Sequence, residues 1–123
     1  MIRYVKIGAL AAMLSVALGA FGAHALKDEL SSDMMDVYQT GVQYHMLHAI
    51  GILLVALLID RLPRPKLALW SARLLLAGVV LFSGSLYALA LSGVEALGAI
   101  TPLGGVAFIA GWICLALAAR TQK

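Results

Sequence analysis

Three histidines stand in or beside otherwise apolar stretches of the chain, His24, His45 and His48. Imidazole is a common metal ligand and a proton carrier near neutral pH. Three together could ligate a transition metal, and two could hold a haem iron. His45 and His48 are three residues apart, so on a helix they project within about 60° of each other. Gly41, Tyr44, Ile52 and Val55 share that face. Ser83 and Tyr87, at i and i+4, share a face of a later segment. At 1.5 Å per residue, His24 lies about 27 Å above Lys6, and His45 and His48 about 22 and 18 Å above Asp60. On the same scale Ser83 and Tyr87 lie roughly 25 and 31 Å above Lys66. His24, Tyr44, His45, His48, Ser83 and Tyr87 are therefore expected at a similar level, as a polar cluster or ligand pocket.

The spacing does not favour catalysis. There is no H-x-x-x-H or other metal-ligand signature, no Gly-rich phosphate loop and no nucleophile–base pair. No carboxylate sits at matching depth, since Asp33 and Asp36 would have to fold back. The plainest expectation is that these groups hydrogen-bond one another or backbone carbonyls and lock the helices together, with no cofactor and no enzymatic activity. A metal or haem site built from His24, His45 and His48, and a small-ligand or lipid pocket, are the alternatives. Ionisable side chains within a membrane span usually face the protein interior and mark functional sites, which keeps both open.

The elements that carry these residues must live in hydrocarbon. Of 123 residues 63% are hydrophobic and only 12% charged, and the mean hydropathy is +0.97. A water-soluble domain of this size needs far more polar surface. A spanning helix takes about 20 apolar residues, and four segments qualify, at about 5–26, 41–59, 67–91 and 102–119. The expected architecture is all-α, a single four-helix transmembrane domain over residues 1–123. The first segment resembles a signal peptide, with Arg3 and Lys6 ahead of an apolar run and Ala23 and Ala25 around His24. Its apolar run exceeds the usual signal core of about 7–15 residues, however, and it is read as a retained helix.

Punctuation is clear elsewhere. The second helix is expected to start early, with Ser32 as its cap and Asp33 and Asp36 near the positive end of its dipole. Gly41 is a candidate break in it. Pro63 and Pro65 end it. Thr101 and Pro102 read as a cap and a first-turn proline, after a loop from Ser92 to Ile100. The single cysteine, Cys114, has no partner within the chain and reads as a small apolar residue. Small residues recur every four positions in three helices: Ala11, Ser15, Gly19 and Ala23; Gly84, Ala88 and Ser92; Ala110, Cys114 and Ala118. Such stripes let helices approach closely in lipid. They would hold the bundle together or join copies of it, and transport of a small solute would require such an oligomer.

Charge sets the orientation. Eight of the nine basic residues (Arg3, Lys6, Arg61, Arg64, Lys66, Arg73, Arg120 and Lys123) fall on one side, and only Lys27 on the other. The basic side is expected to be cytoplasmic, with both termini on it. Arg73 would snorkel toward the headgroups. These charges are dispersed over loops and tails, so anionic membrane lipid is their expected partner rather than nucleic acid.

Several segments carry a resemblance. They are Gly19-Ala20-Phe21-Gly22-Ala23-His24, Tyr38-Gln39-Thr40-Gly41-Val42-Gln43-Tyr44-His45 with His48-Ala49, Leu81-Phe82-Ser83-Gly84-Ser85-Leu86-Tyr87, and Ile100-Thr101-Pro102-Leu103-Gly104-Gly105 through Gly111-Trp112. In this order they resemble the YgdD family, small multi-pass membrane proteins related to transmembrane protein 256 and filed as a domain of unknown function. The resemblance implies a bacterial inner-membrane or plasma-membrane protein of about four spans. It brings no activity, cofactor or catalytic residue with it. Its motifs include His24, His45, His48, Ser83 and Tyr87, which depth alone also selects.

Orientation is checked with a reporter fused after Lys123. A fluorescent protein that matures only in the cytoplasm is expected to fluoresce there, and an alkaline phosphatase that matures only outside is expected to stay inactive.

Overall fold

The computed structural model describes residues 1–121, which leaves Lys123 outside the described residues. Five α-helices follow in order: α1 (Ile2–His24), α2 (Ser32–Leu58), α3 (Pro65–Gly78), α4 (Gly84–Ser92) and α5 (Thr101–Ala118). A π-helical turn, Val79–Ser83, joins α3 to α4 without a break, and 3₁₀ turns extend α2 to Arg61 and precede α5. The result is four helices long and apolar enough to cross a membrane, Ile2–His24, Ser32–Arg61, Pro65–Ser92 and Glu95–Ala118.

Local chemistry explains most of the boundaries. Ser31 rather than Ser32 caps α2, its hydroxyl accepting from the Met34 N–H at 3.2 Å. Pro65 opens α3, where its missing N–H costs nothing. Gly93 closes α4 in the left-handed conformation (φ 74°), which costs glycine least. Thr101 does not cap α5: its hydroxyl lies 2.6 Å from that of Ser85 and ties the start of α5 to α4. Gly41 is no break either, because α2 runs straight through it. A Cβ at Gly41 would stand 2.9 Å from the Tyr87 ring, so the glycine is there for close approach.

The side-chain distribution is inverted relative to a soluble protein. Ser15, Ser71, Ser83, Ser85, His45 and His48 are buried, while Leu10, Val16, Leu47, Leu57, Leu103 and Val106 are more than half exposed. Water would penalise that arrangement. Hydrocarbon favours it, because apolar side chains gain nothing by hiding from lipid and polar ones must find partners inside.

α2 forms the middle of the bundle. α1 packs along one side of it and the α3–α4 span along the other, and α5 packs on α3 and the π turn. The α1–α2 register is set where side chains fill glycine notches. A Cβ at Gly8 would meet Leu53, one at Gly19 would meet Val42, and one at Gly22 would enter the Tyr38 ring. On the far side Gly78 lies against Phe108, Gly104 against the Phe82 backbone, and Gly111 against Leu75. An apolar core of Ile52, Val55, Ala68, Ala72, Leu75 and Phe108 fills the space between.

Two of the three expected small-residue stripes are displaced. On α1 the buried small residues are Gly8, Ser15 and Gly22, with Ala11 and Gly19 partly buried and Ala23 exposed. On α4 the packed residues are Ser85, Leu86 and Ala90, while a Cβ at Gly84 would meet nothing within 4 Å. On α5 the closest approach uses Gly104 and Gly111 rather than Ala110 and Cys114, and Ala118 alone of the expected set is buried. The π turn is one reason. Its extra residue rotates everything after Ser83 relative to a plain 3.6-residue repeat.

Gly104→Ala forces a methyl onto backbone that cannot swing aside and is expected to cost about 1–3 kcal/mol. Gly84→Ala, which meets open space, is expected to be neutral or to stabilise by up to about 1 kcal/mol. Unfolding of the two variants in detergent micelles checks the difference, and equal destabilisation would contradict the packing described.

Candidate functional site

Helices that run antiparallel bring side chains together in a predictable way. Each Cα–Cβ bond tilts toward its own N-terminus, so a side chain on α2 leans toward the 25–31 loop and one on α4 leans away from it. Tyr87 and His45 meet for this reason despite a difference of about 9 Å in their expected depths. The Tyr87 hydroxyl lies 2.8 Å from His45 Nδ1. Ala11, Leu14 and Leu18 of α1 border the same crevice as this ring.

His48 is more tightly determined. Its Nδ1–H donates to the Tyr44 carbonyl one turn earlier at 2.7 Å. Its Nε2 accepts from the Trp112 indole N–H of α5 at 3.0 Å. Since a carbonyl only accepts and an indole N–H only donates, these partners fix the neutral Nδ1–H tautomer. The ring also stacks on Phe108 with centroids 3.6 Å apart. No lone pair on this imidazole is left for a metal or a substrate.

Ser83, fully buried at the end of the π turn, donates to the Gly41 carbonyl of α2 at 2.7 Å. Tyr44 stacks on His48 at 6.0 Å and lies 4.6 Å from the Phe82 ring. His45, Tyr87, Ser83, Tyr44 and His48 are therefore all placed around the middle of α2, but as two groups. His45 faces α1 and α4, and His48 faces α5. The 60° that separates them is enough to send neighbouring imidazoles to different helices.

His24 is not in the cluster. It is exposed at the end of α1. The register set by Gly8–Leu53, Gly19–Val42 and Gly22–Tyr38 places it level with Asp36. That is about 13 Å above His45 at 1.5 Å per residue. Depths counted from Lys6 and Asp60 miss this, because the same register sets Lys6 level with Val55, about 7 Å from the level of Asp60. Among the described residues no group of three or more His, Cys, Asp or Glu is placed to hold a metal ion. The three-histidine set does not assemble.

Two residues outside the expected set do as much as those inside it. Tyr38, almost wholly buried, donates its hydroxyl to the Leu18 carbonyl at 2.5 Å and stacks near Tyr87 at 5.3 Å. Trp112 supplies the partner of His48. The depth of Trp112 in its apolar helix was a usable signal, because a buried indole N–H needs an acceptor. For Tyr38 the signal was Gly22 at the matching level of α1. Arg73 stays exposed, with its guanidinium 5.1 Å from the Trp70 ring centre.

Open space lies between helices rather than within the bundle. A crevice of about 310 Å³ separates α1 from the α3–α4 span, bordered by Leu14, Leu18, His45, Val80, Gly84 and Tyr87. A groove of about 420 Å³ between α2 and α5 is walled by Tyr44, His48, Phe82, Phe108 and Trp112. A smaller space of about 190 Å³ lies between α1 and α2 beside Tyr38, Gln39 and Gln43.

Comparison with known proteins follows the same outline. A family model described as "Protein of unknown function (DUF423)" matches residues 18–105. The UPF0382 membrane protein YwdK of Bacillus subtilis is 50% identical over 116 residues, 94% of each chain. A UPF0382 membrane protein of Haemophilus influenzae is 42% identical over 121 residues, covering 98% of this chain and 96% of that one. The UPF0382 inner membrane protein YgdD of Escherichia coli is 41% identical over 118 residues, covering 94% and 87% respectively. No solved structure matches.

Proposed function

The chain belongs to the DUF423 family of membrane proteins, and from that premise we propose that it is a non-enzymatic structural or accessory component that binds membrane lipid or another membrane protein. One observation carries this reading: the polar side chains of the cluster on α2 and α4 are hydrogen-bonded within the bundle. His48 is bonded through both nitrogens, Ser83 to a backbone carbonyl, and Tyr87 to His45. A general base needs a free lone pair within reach of its proton, and a nucleophile needs such a base beside it. These groups instead join helices, which is worth about 0.6 kcal/mol per bond on average in a membrane protein.

What faces outward is apolar and grooved. Leu10, Met13, Leu47, Ile50, Leu103 and Val106 are exposed on α1, α2 and α5, with crevices between helices. That surface suits contacts within the plane of the bilayer. The dispersed basic residues of the loops and termini add attraction for anionic headgroups at the face we assign to the cytoplasm.

Cross-linking in native membranes is expected to capture a protein or lipid partner. The same purified protein is expected to carry no stoichiometric metal and no Soret band. A chain that runs as a lone monomer with neither lipid nor protein attached contradicts the reading, and bound iron with a Soret band replaces it with a haem protein.

A further inference from the structure

Building on the lipid arm of that reading, we infer that the crevice between α1 and the α3–α4 span holds the acyl chain of a membrane phospholipid. The crevice exists because α1 and this span both pack on α2 and not extensively on each other. Leu14 and Leu18 form one wall, Leu76, Val79 and Val80 the other, and His45 the floor. Its mouth opens to hydrocarbon, with Leu14 and Val80 about half and two-thirds exposed, at 49% and 63%.

Three features point to a chain rather than another occupant. First, the crevice is lined by carbon: its two polar neighbours, His45 and Tyr87, are turned to each other at 2.8 Å. Water needs two to four polar partners to stay in such a place. Second, its volume of about 310 Å³ is roughly twice that of an apolar cavity of about 150 Å³ that takes up benzene. An unfilled void of that size forfeits the dispersion contacts of its walls. Third, it opens to the surrounding hydrocarbon beside Val80, so a flexible chain can enter there and end near the His45–Tyr87 pair.

The π turn and Gly84 shape this space. The turn directs Ser83 to the Gly41 carbonyl and leaves Val79 and Val80 on the crevice side. A Cβ on Gly84, just after it, would meet no protein atom within 4 Å although the residue borders the crevice. A longer side chain there would occupy the site without disturbing the helix contacts. π-helical turns of this kind recur at functional sites.

The test uses the full chain in vesicles of phosphatidylethanolamine and phosphatidylglycerol that contain a phospholipid with a diazirine in its acyl chain. After irradiation, label is expected to concentrate on peptides with Leu14, Leu18 and Val80 over Leu103 and Val106 of α5, which are as exposed as Val80. Gly84→Leu is expected to remove the crevice label and leave the α5 label, with helical content and melting unchanged. Val80→Phe, at the exposed mouth, repeats the blockade if Gly84→Leu does not fold. Equal labelling of both faces, or crevice label that survives both variants, overturns the assignment. So does a protein cross-link through Leu14 or Val80 that displaces the lipid label. That last outcome removes the acyl-chain site while preserving the accessory role, whereas absence of any lipid or protein partner in native membranes removes both.

Discussion

Hydrocarbon gives a buried polar group nothing to bond to, and the hydrogen bonds between helices follow from that constraint. Ser83 reaches across to the Gly41 carbonyl, Tyr38 to the Leu18 carbonyl, Tyr87 to His45, and Trp112 to His48. Each bond crosses from one span to another, and together they connect all four. In water the same groups could turn outward and be solvated, and the helices would lose their reason to choose these partners. Between helices in lipid, packing and such bonds replace the hydrophobic effect as the source of specificity.

Close approach makes the bonds possible. A hydroxyl on one helix reaches a backbone carbonyl on the next only if little stands between them. Gly22 admits the Tyr38 ring, Gly41 admits Tyr87, and Gly104 brings α5 onto the Phe82 backbone beside the π turn. The π turn then aims Ser83 inward at the level of Gly41. Glycine notches, ring and bond act as one unit, and the level of each is fixed by the antiparallel register of α1 and α2.

Much of the architecture was legible in the sequence, because hydrocarbon imposes a length and a composition that few other environments do. The four spans, the proline-marked turns and the two histidines on the inner face of α2 all follow from that. Three details were not legible, each for a physical reason. The π turn has no composition signal, so the face of α4 read from a regular repeat is rotated away from Gly84, Ala88 and Ser92. His24 was placed by counting from Lys6, but the α1–α2 contacts set Lys6 level with Val55 rather than with Asp60. Thr101 looks like a cap, yet the hydroxyl of Ser85 on the neighbouring helix outcompetes that local role. Long-range partners, unlike periodicity, are not written in the spacing of one segment.

His48 concentrates the account in a single ring. Its two nitrogens have chemically opposite neighbours, a carbonyl and an indole N–H, and only one neutral form satisfies both. Nitrogen NMR of the histidine-labelled protein in bilayers reads that form directly. Protonated Nδ1 and bare, hydrogen-bonded Nε2 at position 48 are the predicted result, with the Nε2 signal shifting on Trp112→Phe. A proton on Nε2, or a ring indifferent to that substitution, would mean that the interhelical bond is absent and that the bundle is held by other means.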